Sequence, residues 1–541
     1  MKPIRIALVC ISAASITGCA TLESTQKTVV TSEPLYESSS CSGRFISHEL
    51  PHITKAESDP PVFFDSNGSG VALTDLDDDG LIDIVLSGLQ SPVTILWNKG
   101  DLQFERTEIP LLRTRAVYAV DVDGEGRIDL VFTISTELPS WWRAEGPSRN
   151  FVQTTDEELA AWFYFYTLGW SDFDGDGDLD MIGATYDQEI AHRNEGRVVG
   201  GGVFYLENTD DGFEFLRLGR ETQTLAISLI DLDLDGRRDV VVGNDFRVPD
   251  YIYMNTEEGW VVDEPLVNTT ENTMSFAEGD IDNDGTLEFY ATDMKPYDTS
   301  DEVLADWKPM YVDMEPFRPN DGVQVMANVL QVRNNDGIFI DRALDAGVDA
   351  TGWTWSVQFG DLDHDGFLDL YVVNGMIATE VFEHLPDSEL VEENQAFRNN
   401  ADGTFSTAPE WGLGATESGR GMAMADLDLD GDLDIVVNNL ESPAVLFENQ
   451  ICGGSSLEID LRWNGTRNIR AIGATVEVET NNGDYLREVR ASSGYASSDP
   501  SRLHFGFPQG TEIISANVTW PDGATLTIQD IEPNTLVTIV R

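Results

Sequence analysis

The sequence predicts an all-β fold, a seven-bladed β-propeller followed by a small β-sandwich-like domain, and three observations carry that prediction. A nine-residue acidic loop recurs seven times between residues 75 and 434. Short apolar runs with strand character flank each copy, such as "GVALTD" before and "LIDIVLSG" after the first. Beyond residue 453 the loops stop and alternating stretches such as "ATVEVETNNGDYLREVRA" take over.

All seven loops fit the pattern DxDx[DE]Gxx[DE], with acids at positions 1, 3, 5 and 9. They supply Asp75, Asp77, Asp79 and Asp83; Asp121, Asp123, Glu125 and Asp129; Asp172, Asp174, Asp176 and Asp180; and Asp231, Asp233, Asp235 and Asp239. The last three supply Asp280, Asp282, Asp284 and Glu288; Asp361, Asp363, Asp365 and Asp369; and Asp426, Asp428, Asp430 and Asp434. Carboxylates at alternate positions of a tight turn point to one centre, and Gly at position 6 permits the sharp bend. The carbonyl of position 7, Leu81 in the first loop, turns inward to add a further oxygen. That many hard oxygen ligands suit Ca²⁺ better than Mg²⁺, so the sequence predicts up to seven structural calcium ions. An EF-hand would need flanking helices and a Glu at position 12, and neither is present. Glu125 makes the second loop the expected weakest site, and His364, at position 4 of the sixth, is expected to point outward and be inert.

Loop starts at 75, 121, 172, 231, 280, 361 and 426 leave room for four strands per unit. Stretches such as "LWNKGDLQFE" and "AFRNNADGTFS" read as the third strand, a turn and the fourth. The last unit breaks off at "VLFENQICGG", and "CSGRFISHEL", ahead of the first loop, looks like its missing outer strand. This splice brings Cys41 and Cys452 together, as a disulfide or as two free thiols. Long insertions fall on the side opposite the acidic loops, where a ligand face is expected. The aromatic run with Trp162, Tyr164, Tyr166 and Trp170 is assigned to the same side, as blade packing or as part of that face.

Composition narrows the function. The chain has 33 Lys and Arg against 96 Asp and Glu, a formal net charge of −63, which argues against nucleic acid or an anionic membrane as a partner of the bare protein. At the N-terminus, Lys2 and Arg5 precede a short apolar stretch, and "ITGC" resembles a bacterial lipobox. This predicts a lipoprotein signal peptide over 1–18 and lipidation of Cys19, with an ordinary secretory signal as the alternative. A flexible tether over 19–40 follows, then the propeller over 41–452 and the last domain over 453–541. Ala20 points to the outer membrane, and the lipid is the only membrane contact expected.

"AIGATVEVETNNGDYLREVRASSGYASSDPSRLHFGF" followed by "VTWPDG" resembles the ASPIC/UnbV domain of cartilage acidic protein and its bacterial relatives. "TGWTWSVQFGDLDHDGFLDLYVVNG" and "GRGMAMADLDLDGDLDIVVNNL" are similar to FG-GAP/VCBS repeats, the calcium-binding blades of integrin α subunits. The resemblance implies a calcium-bearing propeller in a cell-surface or secreted setting, and implies little about biochemistry. Six scattered His, no HExxH, no GxSxG and no phosphate-binding Gly loop leave no catalytic residue to name. The leading expectation is a binding or adhesion module for a protein or carbohydrate at the cell envelope. The alternative is a lectin or polysaccharide lyase, since an acid/base pair depends on geometry rather than spacing.

Overall fold

A computed structural model describes residues 28–36, 40–146, 149–154, 163–194, 196–198, 201–209, 212–246, 248–314 and 324–541. The signal peptide, Cys19 and Trp162 lie outside them.

Seven antiparallel meanders dominate the chain. The first runs Val71–Thr74, Asp83–Leu86, Val93–Asn98 and Phe104–Ile109, with each strand paired to the next. The same order recurs in sheets whose first strands are Thr114–Val120, Phe165–Ser171, Thr224–Ile230, Ser275–Gly279, Gly352–Gly360 and Gly419–Ala425. Met294–Lys295 adds a fifth strand to the sixth sheet. The first strand of each sheet packs beside that of the next, and that of the seventh packs against that of the first. The arrangement is a β-propeller. Its second strands, such as "DLVFTI" and "DLYVVN", are buried along their whole length because neighbouring sheets cover both faces. The outer strands, such as Phe104–Ile109, are largely exposed.

The ring closes through two distant segments. Ile46–Ile53 supplies the outer strand of the seventh sheet, antiparallel to Pro443–Glu448. Cys41 and Cys452 are disulfide-bonded across 411 residues, which excludes the free-thiol alternative. In the chain-entropy account a clasp over so long a loop stabilises the fold by about 6 kcal/mol.

The C-terminal domain is a sandwich of two four-stranded sheets. One orders Asp484–Glu488, Thr475–Thr480, Ile513–Thr519 and Thr525–Ile528. The other orders Val29–Pro34, Thr535–Val540, Ser455–Arg462 and Leu503–Phe507. Val29–Pro34 corrects the expected tether: these residues lie within 19–40, yet they pair antiparallel with Thr535–Val540 along their full length. Their β-branched "VVTS" completes an otherwise bare sheet edge.

Candidate metal centres

Each acidic loop is a hairpin connection in one repeated register. The residue before position 1 pairs with position 9: Thr74 with Asp83, Val120 with Asp129, Ser171 with Asp180, and so on to Ala425 with Asp434. The position 1 carboxylate accepts the amide of the position 6 Gly at 2.7–3.1 Å in all seven loops. The position 9 carboxylate accepts the amide of position 2 at 2.8–3.4 Å. Glycine at position 6 has φ near 90° throughout, 85° to 95°. Position 4 is also left-handed, even where it is Asp78, Leu234, His364 or Leu429, so the turn imposes a strained backbone on ordinary residues.

These bonds aim the acids inward. In the first five loops the carboxylate oxygens of positions 1, 3 and 9 lie within 4.8 Å of one another: Asp75, Asp77 and Asp83; Asp121, Asp123 and Asp129; Asp172, Asp174 and Asp180; Asp231, Asp233 and Asp239; Asp280, Asp282 and Glu288. Position 5 instead turns toward the amide of position 7, as Asp79 does with Leu81 and Asp365 with Phe367. Glu125 is drawn to Arg127. Burial pushes the acids up, Asp83 to about 8, Asp129 to about 7 and Glu288 to about 9, with the neighbouring carboxylates adding to the shift. Oδ1 of Asp77 and of Asp363, both at position 3, is buried without a hydrogen-bond donor. Orphaned acceptors beside converging carboxylates fit a hard cation, and positions 1, 3 and 9 are the residues that would hold it.

A second repeated device escaped the sequence reading. The position 9 carboxylate also accepts the amide of Asn98, Asn208, Asn255 or Asn399 on the third strand of its own sheet, or of Asn449 just past it. Four of these side chains reach the position 2 carbonyl of the preceding sheet's loop: Asn98 to Leu427, Asn255 to Phe173, Asn399 to Ile281, and Asn449 to Leu362. Arg333 does the same for the fifth sheet, donating to Leu232. Five of the seven loops, the third to the seventh, are thereby tied to the next sheet around the ring. The recurrent Asn in "WNKGD", "MNTEE", "RNNAD" and "ENQIC" was the available signal.

The sandwich domain covers the acidic loops. Arg462 and Arg470 reach Asp78, at position 4 of the first loop, at 3.3 and 3.1 Å. Arg467 reaches Asp178 at 3.2 Å, and Arg502 donates to the Gly80 carbonyl at 2.9 Å. Position 4 of the sixth loop corrects another expectation. His364 does not point outward: it is buried, its Nδ1 is 3.2 Å from the Gly453 carbonyl oxygen and its ring stacks 5.5 Å from His504. Burial lowers the pKa of both imidazoles, His504 to about 3.

From the sandwich, Ser493–Asp499 enters the ring along its axis. Ser498 exchanges backbone hydrogen bonds with Val71 and Leu73, and the Ala496 carbonyl accepts from Val117. The Tyr495 amide donates to Ser356 and Asp499 accepts from Met424. The segment thus touches first strands of four sheets. Tyr495 is the plug: its hydroxyl lies 2.6 Å from that of Tyr166 and donates to the Asn67 carbonyl, and its ring packs 5.3 Å from Trp355. Tyr166 and Trp170 are accordingly core residues, and Trp170 sits at the end of its strand nearest the acidic loop. Packing is thus the role of Tyr166 and Trp170 in the aromatic run.

The opposite face carries the insertions, and these contain the helices Asp187–Arg193, Asp301–Met314 and Thr379–Phe382. Glu189 on the first forms a buried ion pair with Arg115 at 2.7 Å. Trp307 and Met310 on the second pack inward over the ring.

Comparison with known proteins places these features. FG-GAP-like repeats match residues 75–132, 231–291 and 387–437, and the ASPIC and UnbV family matches 465–541. Cartilage acidic protein 1 of Xenopus tropicalis is 24% identical over 536 residues, covering 86% of this chain and 73% of that protein. Crystal structures of BBS1N in complex with ARL6DN, soaked with mercury or lead, overlap 75% and 76% of this chain, and 96% and 98% of theirs. They do so at a TM-score of 0.39 and 10% identity, too loosely to add to the fold read from the sheets.

Proposed function

From a chain that joins FG-GAP-like repeats to an ASPIC and UnbV domain, we propose a calcium-stabilised, lipid-anchored binding or adhesion module of the bacterial cell envelope. Its ligand face is the one opposite the acidic loops. The observation that carries the calcium reading is the repeated convergence of positions 1, 3 and 9 in a single register. Calcium supplies the charge that lets those acids stay ionised together, and it braces each hairpin rather than acting on a substrate. The sandwich covers the acidic loops, which favours the other side for a partner. An anchor at Cys19 favours it too. Val29 lies ten residues on, at most about 36 Å of extended chain, and it belongs to the sandwich, so the helix-bearing face points away from the membrane.

Calorimetric titration with Ca²⁺ and thermal melts in excess chelator test the metal. Each site held a hundredfold above its Kd contributes about 2.7 kcal/mol, so several sites together should lower the melting temperature by tens of degrees on chelation. An unchanged melt overturns the proposal. Labelling with a radioactive fatty acid in wild type and Cys19→Ser tests the anchor.

A further inference from the structure

The seven loops are alike in backbone and differ in how their acids are neutralised. In six of them the position 5 carboxylate accepts the amide of position 7, which sets the position 7 side chain beside an acid. In the second and fourth loops that side chain is an arginine, and Arg127 and Arg237 pair with Glu125 and Asp235. In the fifth it is Thr286, whose hydroxyl donates to Asp284 at 2.7 Å. In the third and seventh it is a further acid, Asp178 or Asp432. Two buried carboxylates side by side repel unless a positive charge joins them. The third loop takes that charge from the sandwich, where Arg467 reaches Asp178 at 3.2 Å.

The seventh loop has no such partner. Arg149, Arg143 and Arg398 pair with Asp77, Asp123 and Asp363 of the first, second and sixth loops. Among the described residues no Lys, Arg or His forms an ion pair with any of the five acids of the seventh. Asp432 is only 6% exposed and its Oδ1 is buried without a donor. Oδ1 of Asp178 is orphaned as well, but Arg467 holds its other oxygen, whereas neither oxygen of Asp432 meets a donor among the described residues. The sandwich deepens the imbalance. Ser456 abuts Gly431 of the loop, and Glu458, two residues on, shares its buried strand face. Arg502, 3.5 Å from Glu458, also serves the Gly80 carbonyl of the first loop, and His504 meets the Gly431 carbonyl at 3.0 Å rather than a carboxylate. One divalent ion on the acids of positions 1, 3 and 9 leaves the five carboxylates with three unmatched charges. Oxygen donors in that surplus call for a second hard cation.

We propose that the seventh loop holds two hard divalent cations, one like that of the other loops and a second joining Asp430 to Asp432, with water completing its shell. The proposal rests on the calcium reading and adds an ion to it. Few protein oxygens and retained water suit Mg²⁺ as well as Ca²⁺, and two arms separate them. The full chain is dialysed against Ca²⁺ alone or against Ca²⁺ with Mg²⁺, and elemental analysis counts both metals. Asp432→Asn should bind one ion fewer than wild type, a calcium in both arms if the second site takes Ca²⁺, a magnesium in the second arm if it takes Mg²⁺. Asp178→Asn should match wild type. Asp432→Arg, which copies the second and fourth loops, should also lose one ion and should lose less melting temperature than wild type on chelation. Anomalous difference maps of wild-type crystals grown in Ca²⁺ with Mn²⁺ should show two peaks at the seventh loop, about 4 Å apart, and they decide if Asp432→Asn fails to fold. A single peak there, or equal ion counts in wild type and folded Asp432→Asn, overturns the second ion and leaves the calcium reading standing. Absence of ions from every loop overturns both.

Discussion

The two faces of the ring are built on opposite principles. On the acidic side one solution is copied seven times, with the same register, the same pair of backbone bonds per loop and the same left-handed positions 4 and 6. On the far side the long insertions differ from one another: the helices Asp187–Arg193, Asp301–Met314 and Thr379–Phe382, a buried Arg115–Glu189 pair and a methionine-lined cavity each belong to a different arrangement. Repetition marks what every blade needs, and irregularity marks what the molecule does individually. The sandwich domain sharpens the contrast, because it closes the repeated face and leaves the irregular one open.

The largest effect expected from a single residue tests that closure. Tyr495 is fully buried, packs on Trp355 and joins Tyr166 and Asn67 through its hydroxyl. Tyr495→Ala should cost about 3–5 kcal/mol, the range for deleting a buried aromatic ring, and should expose Gln450–Gly454 to limited proteolysis as the sandwich loosens. Tyr495→Phe, which keeps the ring, should cost about 1–2 kcal/mol. If Tyr495→Ala melts like wild type, the plug is ornamental and the two faces are equally open.

A smaller effect separates the faces by pH. His52, on the outer strand contributed by the N-terminal segment, is buried at the junction of the seventh and first sheets, between Thr94, Thr54 and the Ser87 carbonyl. Burial pushes its pKa down to about 4. The unfolded chain keeps an imidazole near 6.5 and takes up a proton that the folded chain refuses. The stabilisation is therefore complete above pH 6.5 and is lost as the pH falls toward 4, by about 3 kcal/mol in all. Denaturant melts at pH 7 and pH 4.5 should show that loss reduced in His52→Gln. An equal loss in both proteins would move the acid sensitivity elsewhere, to His504 under the sandwich.

How much of this was legible follows the same division. The acidic loops announced themselves because a Ca²⁺-type turn fixes both residue type and spacing, so Asp75 to Asp83 could be placed on a hairpin from letters alone. The closing strand at Ile46–Ile53 and the Cys41–Cys452 bond followed from counting strands. Val29–Pro34 was misread as tether because a polar edge strand, exposed on all six residues, has the composition of a linker. His364 was misread because exposure of a turn residue depends on what docks above it, and the sandwich brings His504 and Gly453 there. One hint was available: after residue 453 the chain has seven Arg and no Lys against eleven Asp and Glu, far less acidic than what precedes it. A nearly balanced domain following a strongly acidic one is a candidate lid. The cavity was not legible, since its residues come from five separate connections and two first strands with no shared spacing.

The smallest expected effect asks whether charge or packing holds that lid. Arg462 and Arg470 both contact Asp78, which is itself more than half exposed. Asp78 stands at position 4, outside the proposed ligand set, so a bound cation leaves it available to both arginines. Arg462→Ala removes one of two redundant partners from a hydrated carboxylate and should cost less than about 1 kcal/mol, a difference that shrinks further at high salt. The interface has a stronger source of cohesion, because one hydrophobic cluster runs from Leu457, Phe505 and Val537 of the sandwich to Tyr118, Leu168 and Trp170 of the ring. Apolar contact of that kind survives salt. A loss well above 1 kcal/mol in Arg462→Ala, abolished by salt, would make electrostatics the dominant bond between the domains. The acidity of the repeated face would then serve to recruit its own lid as well as its ions.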